Sequence, residues 1–175
     1  ASIVSDGQLI NNTVYTQKIH KNYGGVVPEL ASQEHLNEII DVIELSLKES
    51  VIDIMDIDAI AVTYGPGLMG SLLIGVNFVK AMSLSLKIPF LGINHLEGHL
   101  CSNLIGKQNF IFPYLSLIVS GGHTQIWIIK DYNNNKIVST TVDDAAGEAF
   151  DKGAKILGLG YPGGPEIEKC SLKGN

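Results

Sequence analysis

Arginine is absent from this chain of 175 residues. All twelve basic residues are lysines, and against eighteen acidic residues they leave a formal net charge of −6. Arginine is the side chain that grips phosphates and guanine edges bidentately. Its absence argues against tight nucleic-acid binding by this chain alone, and the locally basic Lys18–Lys21 is only a short solvated patch. Cysteine is scarce as well: Cys101 and Cys170 stand too far apart for a disulfide framework or a metal-type spacing, which leads us to expect a reducing cytoplasm. No apolar run is long. The longest, Leu68–Val79, meets Lys80, is too short to span a bilayer and reads as a buried helix. The opening "ASIVSDG" has no initiator Met, basic n-region or apolar stretch, so no signal peptide is expected. What is present is apolar residues at 45% against 17% charged, a balance that supports a real core and excludes disorder.

The periodicities are those of α/β architecture. "ASIV" and "QLINNTVYTQ" read as two strands around an Asp6-Gly7 hairpin turn. Pro28 suits a helix start, and Leu36, Ile39, Ile40, Ile43 and Leu47 carry the helix to about Ser50. "AIAVTY" is a continuously apolar strand, as in a parallel sheet; "GPGLMG" turns into an apolar helix ending near Lys87, and "IPFLGIN" is the next strand. The pattern breaks between Gly106 and Pro113, then restarts as three strands, "YLSLIVS", "TQIWIIK" and "KIVSTTV". The helix "DDAAGEAFDKGAKIL" follows, with aspartates in its first turn, and "PEIEKCSL" opens another. Two similar, incomplete α/β halves are expected, 1–108 and 109–175.

Four stretches bear chemistry. In "NHLEGHL", His95 and His99 stand four apart, and on a helix would project about 40° from one another, so they can share a metal ion. Asn94 would cap that helix just beyond a strand's C-terminal end, where open α/β sheets place their sites. Glu97 lies two residues from each histidine, whereas H-E-x-x-H peptidases put the glutamate directly after the first. The spacing supports a metal pair and a pair of packing histidines equally. "GPGLMG" matches G-x-G-x-x-G, but Pro66 offers no N–H to a phosphate and no ribose-binding acid follows some twenty residues on; a tight, closely packed turn is the better reading. In "SGGHTQ" paired glycines could converge N–H groups on an anion, or simply turn a hairpin. Asp151 on its helix and Glu166 and Glu168 after "GYPGGP" suit ribose hydroxyls and solvent alike.

Together, "YGGVVPELASQEH", "GPGLMGSLLIG", "NHLEGH", "SGGHTQ", "DDAAGEAFDK" and "GYPGGP", in this order, resemble the bacterial TsaD family. These are the tRNA N6-adenosine threonylcarbamoyltransferases, formerly termed O-sialoglycoprotein endopeptidases, and the resemblance covers essentially the whole chain. It implies a duplicated actin/Hsp70-like (ASKHA, ribonuclease H-like) α/β fold, here incomplete at both ends: a first lobe at 1–108 lacking its first strand, and the beginning of a second at 109–175. It implies transfer of threonylcarbamoyl from threonylcarbamoyl-adenylate to N6 of adenosine 37 in tRNAs reading codons that start with A. His95 and His99 match the family's metal ligands, for a divalent ion that is usually iron, with zinc or magnesium as alternatives. Ile118, Val119, Ser120, Gly121 and Gly122 match its nucleotide-binding hairpin. Asp151, Gly164 and Glu168 match further nucleotide contacts, for the adenylate or ATP.

The same resemblance implies tRNA as a partner, a paralogous TsaB-like subunit and a TsaE-like ATPase, a cytoplasmic location and no membrane. The family's acidic N-terminal loop, a later asparagine and a third metal ligand have no counterpart here, so the chain reads as an internal fragment of a protein about twice as long, with no further catalytic residue assigned. Two other functions compete: a metallopeptidase, which the position of Glu97 disfavours, and a non-catalytic partner subunit of the same fold, which the histidine pair disfavours.

Overall fold

The computed structural model describes residues 1–19, 23, 26–105, 111–132 and 134–174. His20, Lys21, Asn22, Gly24, Gly25, residues 106–110, Asn133 of the expected "DYNNN" turn, and Asn175 lie outside the described residues. The chain is a mixture of helices and strands in two compact units, Ala1–Gln108 and Asn109–Asn175.

In the first unit, β1 (Ser2–Ser5) and β2 (Gln8–Asn12) form the antiparallel hairpin. Asp6 and Gly7 both take positive φ, 49° and 75°, as a two-residue turn matched to strand twist demands. β2 stops at Asn12 instead of running to Gln17, and the residue after it, Thr13, donates its N–H to Ala1 O (2.8 Å). Helix α1 (Pro28–Ser50) opens on its proline and closes on Val51 in the left-handed region (φ 56°), whose N–H reaches the carbonyls of Leu47 and Lys48. β3 (Ile60–Gly65) and β4 (Phe90–Asn94) pair in parallel, Ile60 opposite Phe90 and Thr63 opposite Ile93. Helix α2 (Met69–Leu86) is their crossover, as parallel strands require.

α2 runs through Lys80, in keeping with the expected end near Lys87. Lysine is a good helix former, and the helix runs unbroken to Leu86, so by length and composition alone it could cross a membrane, with a mean hydropathy of 1.4. The expectation that this segment is too short therefore does not hold. What ties α2 to this unit is packing. A Cβ on Gly75 would stand 3.7 Å from Val62 of β3, and one on Gly70 would collide with Ser32 Oγ of α1. The glycines of "GPGLMG" thus serve a turn and a close helix contact. Among the described residues β1–β2 and β3–β4 are separate sheets. Between β1 and β3 lies a slot of about 500 Å³ lined by Ile3, Val4, Leu47, Ile60, Ala61 and Val79 among others.

The second unit is an antiparallel sheet in the order β5 (Tyr114–Val119), β6 (Thr124–Asp131), β7 (Asn134–Thr140), followed by α4 (Ala146–Ile156) and α5 (Gly163–Ser171). Alternation along the strands buries Ser116, Ile118, Trp127 and Ile129. α4 starts at Ala146, later than its aspartates suggest. Thr141 Oγ1 donates to Asp144 O (2.9 Å), and Ala146 N–H donates to Thr124 Oγ1 (2.8 Å), which turns the chain before the helix begins. Glu148, not an aspartate, then occupies the first turn.

Candidate functional site

β4 ends at Asn94, whose side chain accepts from Leu96 N–H (2.9 Å) and caps α3 (His95–Ser102). Leu96 and Leu100 face the interior, which leaves His95 and His99 exposed on another side of the helix. Their Nε2 atoms are 3.1 Å apart, with ring centroids at 4.4 Å. One imidazole can donate to the other at that distance, the direction being set by the tautomers. Nitrogens bonded to one ion at about 2.0–2.1 Å stand about 3–3.4 Å apart, so the pair fits a shared metal once both Nε2 atoms are unprotonated. Among the described residues no group of three or more His, Cys, Asp or Glu is placed to hold an ion, so the pair supplies two ligands without a third. Glu97 is exposed.

The other candidate residues lie in the second unit. The β5–β6 connection, Ser120–His123, is closed by the Ser120 side chain. Its Oγ accepts from His123 N–H (3.0 Å) and, more weakly, from Gly122 N–H (3.4 Å), while Ser120 N–H bonds His123 O (2.8 Å). Ile118 points into the core and Val119 outward; Gly121 and Gly122 are exposed, with open space where side chains would be. Asp151, on α4, is partly buried, and its Oδ1 accepts from Gly163 N–H at 2.7 Å. It caps α5, and that bond is why α5 starts at Gly163, two residues before the expected Pro165. Gly164 has nothing within 4 Å of a would-be Cβ, and Glu168 is exposed one turn further along α5.

Two residues not singled out from the sequence hold this arrangement together. Gly147 sits against the backbone of Ser120 and Gly121, and Thr124 caps α4 through Ala146. The only signal was the run of small residues "AAG" at the helix start, which many helices share. Lys152 reaches Asp144 (2.6 Å) and Glu148 (3.0 Å); the hydrogen bonds to Asp144 and then Glu148 hold its ammonium well above the usual lysine range, but the group is fully exposed and this contributes little to stability.

The family model described as tRNA N6-adenosine threonylcarbamoyltransferase matches residues 8–175. The chain belongs to this family. Among tRNA N6-adenosine threonylcarbamoyltransferases it is similar to that of Caldicellulosiruptor saccharolyticus, 53% identical over 177 residues, which takes in 100% of this chain and 53% of the relative. The Christiangramia forsetii protein is 49% identical over 178 residues, covering 100% and 52%. The chain thus spans about half the length of the curated relatives it matches. Among solved structures, YeaZ from Pseudomonas aeruginosa overlaps 61% of this chain and 52% of its own, at 17% identity and a TM-score of 0.42, too loose an overlap to bear on the fold.

Proposed function

We propose that the chain is part of an enzyme that transfers the threonylcarbamoyl group from threonylcarbamoyl-adenylate to N6 of adenosine 37 in tRNA. Family membership over residues 8–175 carries this reading. In the reaction N6 attacks the carbamoyl carbon, the bond from that carbon to the adenylate's phosphate oxygen breaks, AMP leaves with the electron pair, and N6 gives up a proton. Gly121, Gly122 and Gly164 keep space open for a nucleotide, and the Gly163 N–H fixes the Asp151 carboxylate beside it. His95 and His99 would hold a divalent metal, iron with zinc or magnesium as alternatives, which when bound supplies a Lewis acid able to stabilise developing charge. The two α/β units correspond in this reading to parts of an actin-like pair of lobes.

An arginine-free, acidic surface releases few counterions from tRNA. The reading therefore includes partners, a TsaB-like paralogue and a TsaE-like ATPase, and a cytoplasmic setting. The test is the full-length protein with candidate partners, tRNA and threonylcarbamoyl-adenylate, followed by mass analysis of the tRNA nucleosides. Threonylcarbamoyladenosine formation by the native protein and its loss in His95→Ala support the proposal. Absence of the modified nucleoside with every partner present would refute it.

A further inference from the structure

Three backbone atoms occupy the space a side chain on residue 147 would need. A Cβ there would lie 2.7 Å from Ser120 O, 2.8 Å from Gly121 Cα and 2.9 Å from Gly121 N. All belong to main chain, which cannot swing aside as a flexible side chain could. Gly147 N–H also bonds Ser120 O (3.1 Å), and the preceding N–H, of Ala146, bonds Thr124 Oγ1 (2.8 Å). Glycine costs helix stability relative to alanine, so its presence in the first turn of α4 calls for a reason, and this contact supplies one. One turn along the same face, Asp151 holds Gly163, where an added Cβ would meet Phe150 O at 2.6 Å and Asp151 Cα at 2.7 Å. A single helix face therefore touches both glycine loops, at points about 6 Å apart along its axis.

We propose that Gly147 is a positioning residue for the nucleotide site: its missing side chain lets α4 seat the Ser120–Gly122 loop at a fixed distance from the start of α5. The role in nucleotide affinity rests on the function proposed above; the role in holding the loop does not.

The test uses the full-length protein with Gly147→Ala and, as control on the same helix, Gly153→Ala, whose added methyl would make only an ordinary 3.6 Å contact with Ile167. Amide hydrogen exchange without nucleotide reads the loop, and calorimetric titration with ATP reads the site. The expected result for Gly147→Ala is faster exchange confined to residues 120–124 and about tenfold weaker ATP binding, the loss that follows when one or two hydrogen bonds lose their geometry. Gly153→Ala should match the native protein in both readouts. Unchanged exchange at 120–124 in Gly147→Ala would overturn the positioning role, as would a uniform rise across the whole protein, which marks a merely structural defect. Failure of the native protein to bind ATP would overturn the claim on affinity together with the nucleotide reading, while exchange still decides whether Gly147 holds the loop. Should Gly147→Ala not fold, Thr124→Val removes only the hydroxyl that caps Ala146; faster exchange at 120–124 and weaker ATP binding are expected from it, and native values in both would overturn the proposal.

Discussion

Asp151 offers a measurement that separates two roles of one carboxylate. Its Oδ1 accepts from Gly163 N–H at 2.7 Å, twelve residues away, and so caps α5. α5 has only nine residues and four amide groups at its start without helical partners. A helix that short is marginal by itself, so the cap and the packing on α4 hold it together. Removing a capping side chain costs about 0.5–2 kcal/mol, and a hydrogen bond to a charged acceptor is worth about 1.5–3 kcal/mol. Asp151→Ala loses the acceptor altogether, and since the group is only partly buried we expect about 1–2 kcal/mol of destabilisation. At roughly 2–4 °C per kcal/mol for a domain of 150–250 residues, the melting temperature should fall by about 2–8 °C. Asp151→Asn keeps an oxygen that can accept from Gly163 but loses the charge suited to ribose hydroxyls. It should melt close to the native protein while binding ATP more weakly. The assay is thermal unfolding of the full-length protein beside calorimetric ATP titration. If Asp151→Ala melts like the native protein, the cap contributes nothing and the reasoning fails.

His95→Ala and His99→Ala in the full-length protein should each lose bound metal, measured by elemental analysis, with the far-ultraviolet circular dichroism unchanged because both side chains are exposed; full occupancy in both variants would remove them as ligands. Gly163→Ala should destabilise by about 1–3 kcal/mol through overpacking against Phe150 O, Ala154 and Asp151, whereas Gly164→Ala, with nothing within 4 Å, should leave the melting temperature alone. Tyr15 donates to Glu34 (3.1 Å), and that hydrogen bond, followed by desolvation and the nearby Glu34 and Glu38 charges, raises its hydroxyl above the ordinary value of 10.0. A raised folded value means that the contact supports the fold below pH 10 and is lost as pH rises through the folded value. Ultraviolet titration should therefore show a tyrosine in Glu34→Gln ionising at lower pH than in the native protein; identical curves would discount the contact.

How far the sequence could be read followed from how local each cause is. Pro28 marked the start of α1 and Asp6-Gly7 the hairpin, because backbone restriction acts within a residue or two. Asn94 and the four-residue histidine spacing were equally legible, since a cap and a helix face are set within one turn. The misplaced boundaries came from distant partners. α4 begins where Thr124 meets Ala146 and α5 where Asp151 meets Gly163, contacts across twenty-two and twelve residues that no periodicity carries. The length of α2 was legible too: the expected end near Lys87 stands against an observed last residue of Leu86. Gly147 left almost no trace, because a glycine kept for a backbone approach looks in sequence like any other small residue.

The contrast between crowded and open glycines has a consequence for selection. Gly147 and Gly163 have no room for even a methyl group within the fold, whereas Gly121, Gly122 and Gly164 face empty space. In a library of random substitutions, cells sorted only for folded protein should discard changes at Gly163 and accept alanine or serine at Gly121, Gly122 and Gly164. Cells whose growth depends on the modified tRNA should discard both sets. The positions rejected only in the second sort mark where space is kept for something other than the chain itself, and they would outline the nucleotide's footprint without a bound ligand ever being seen.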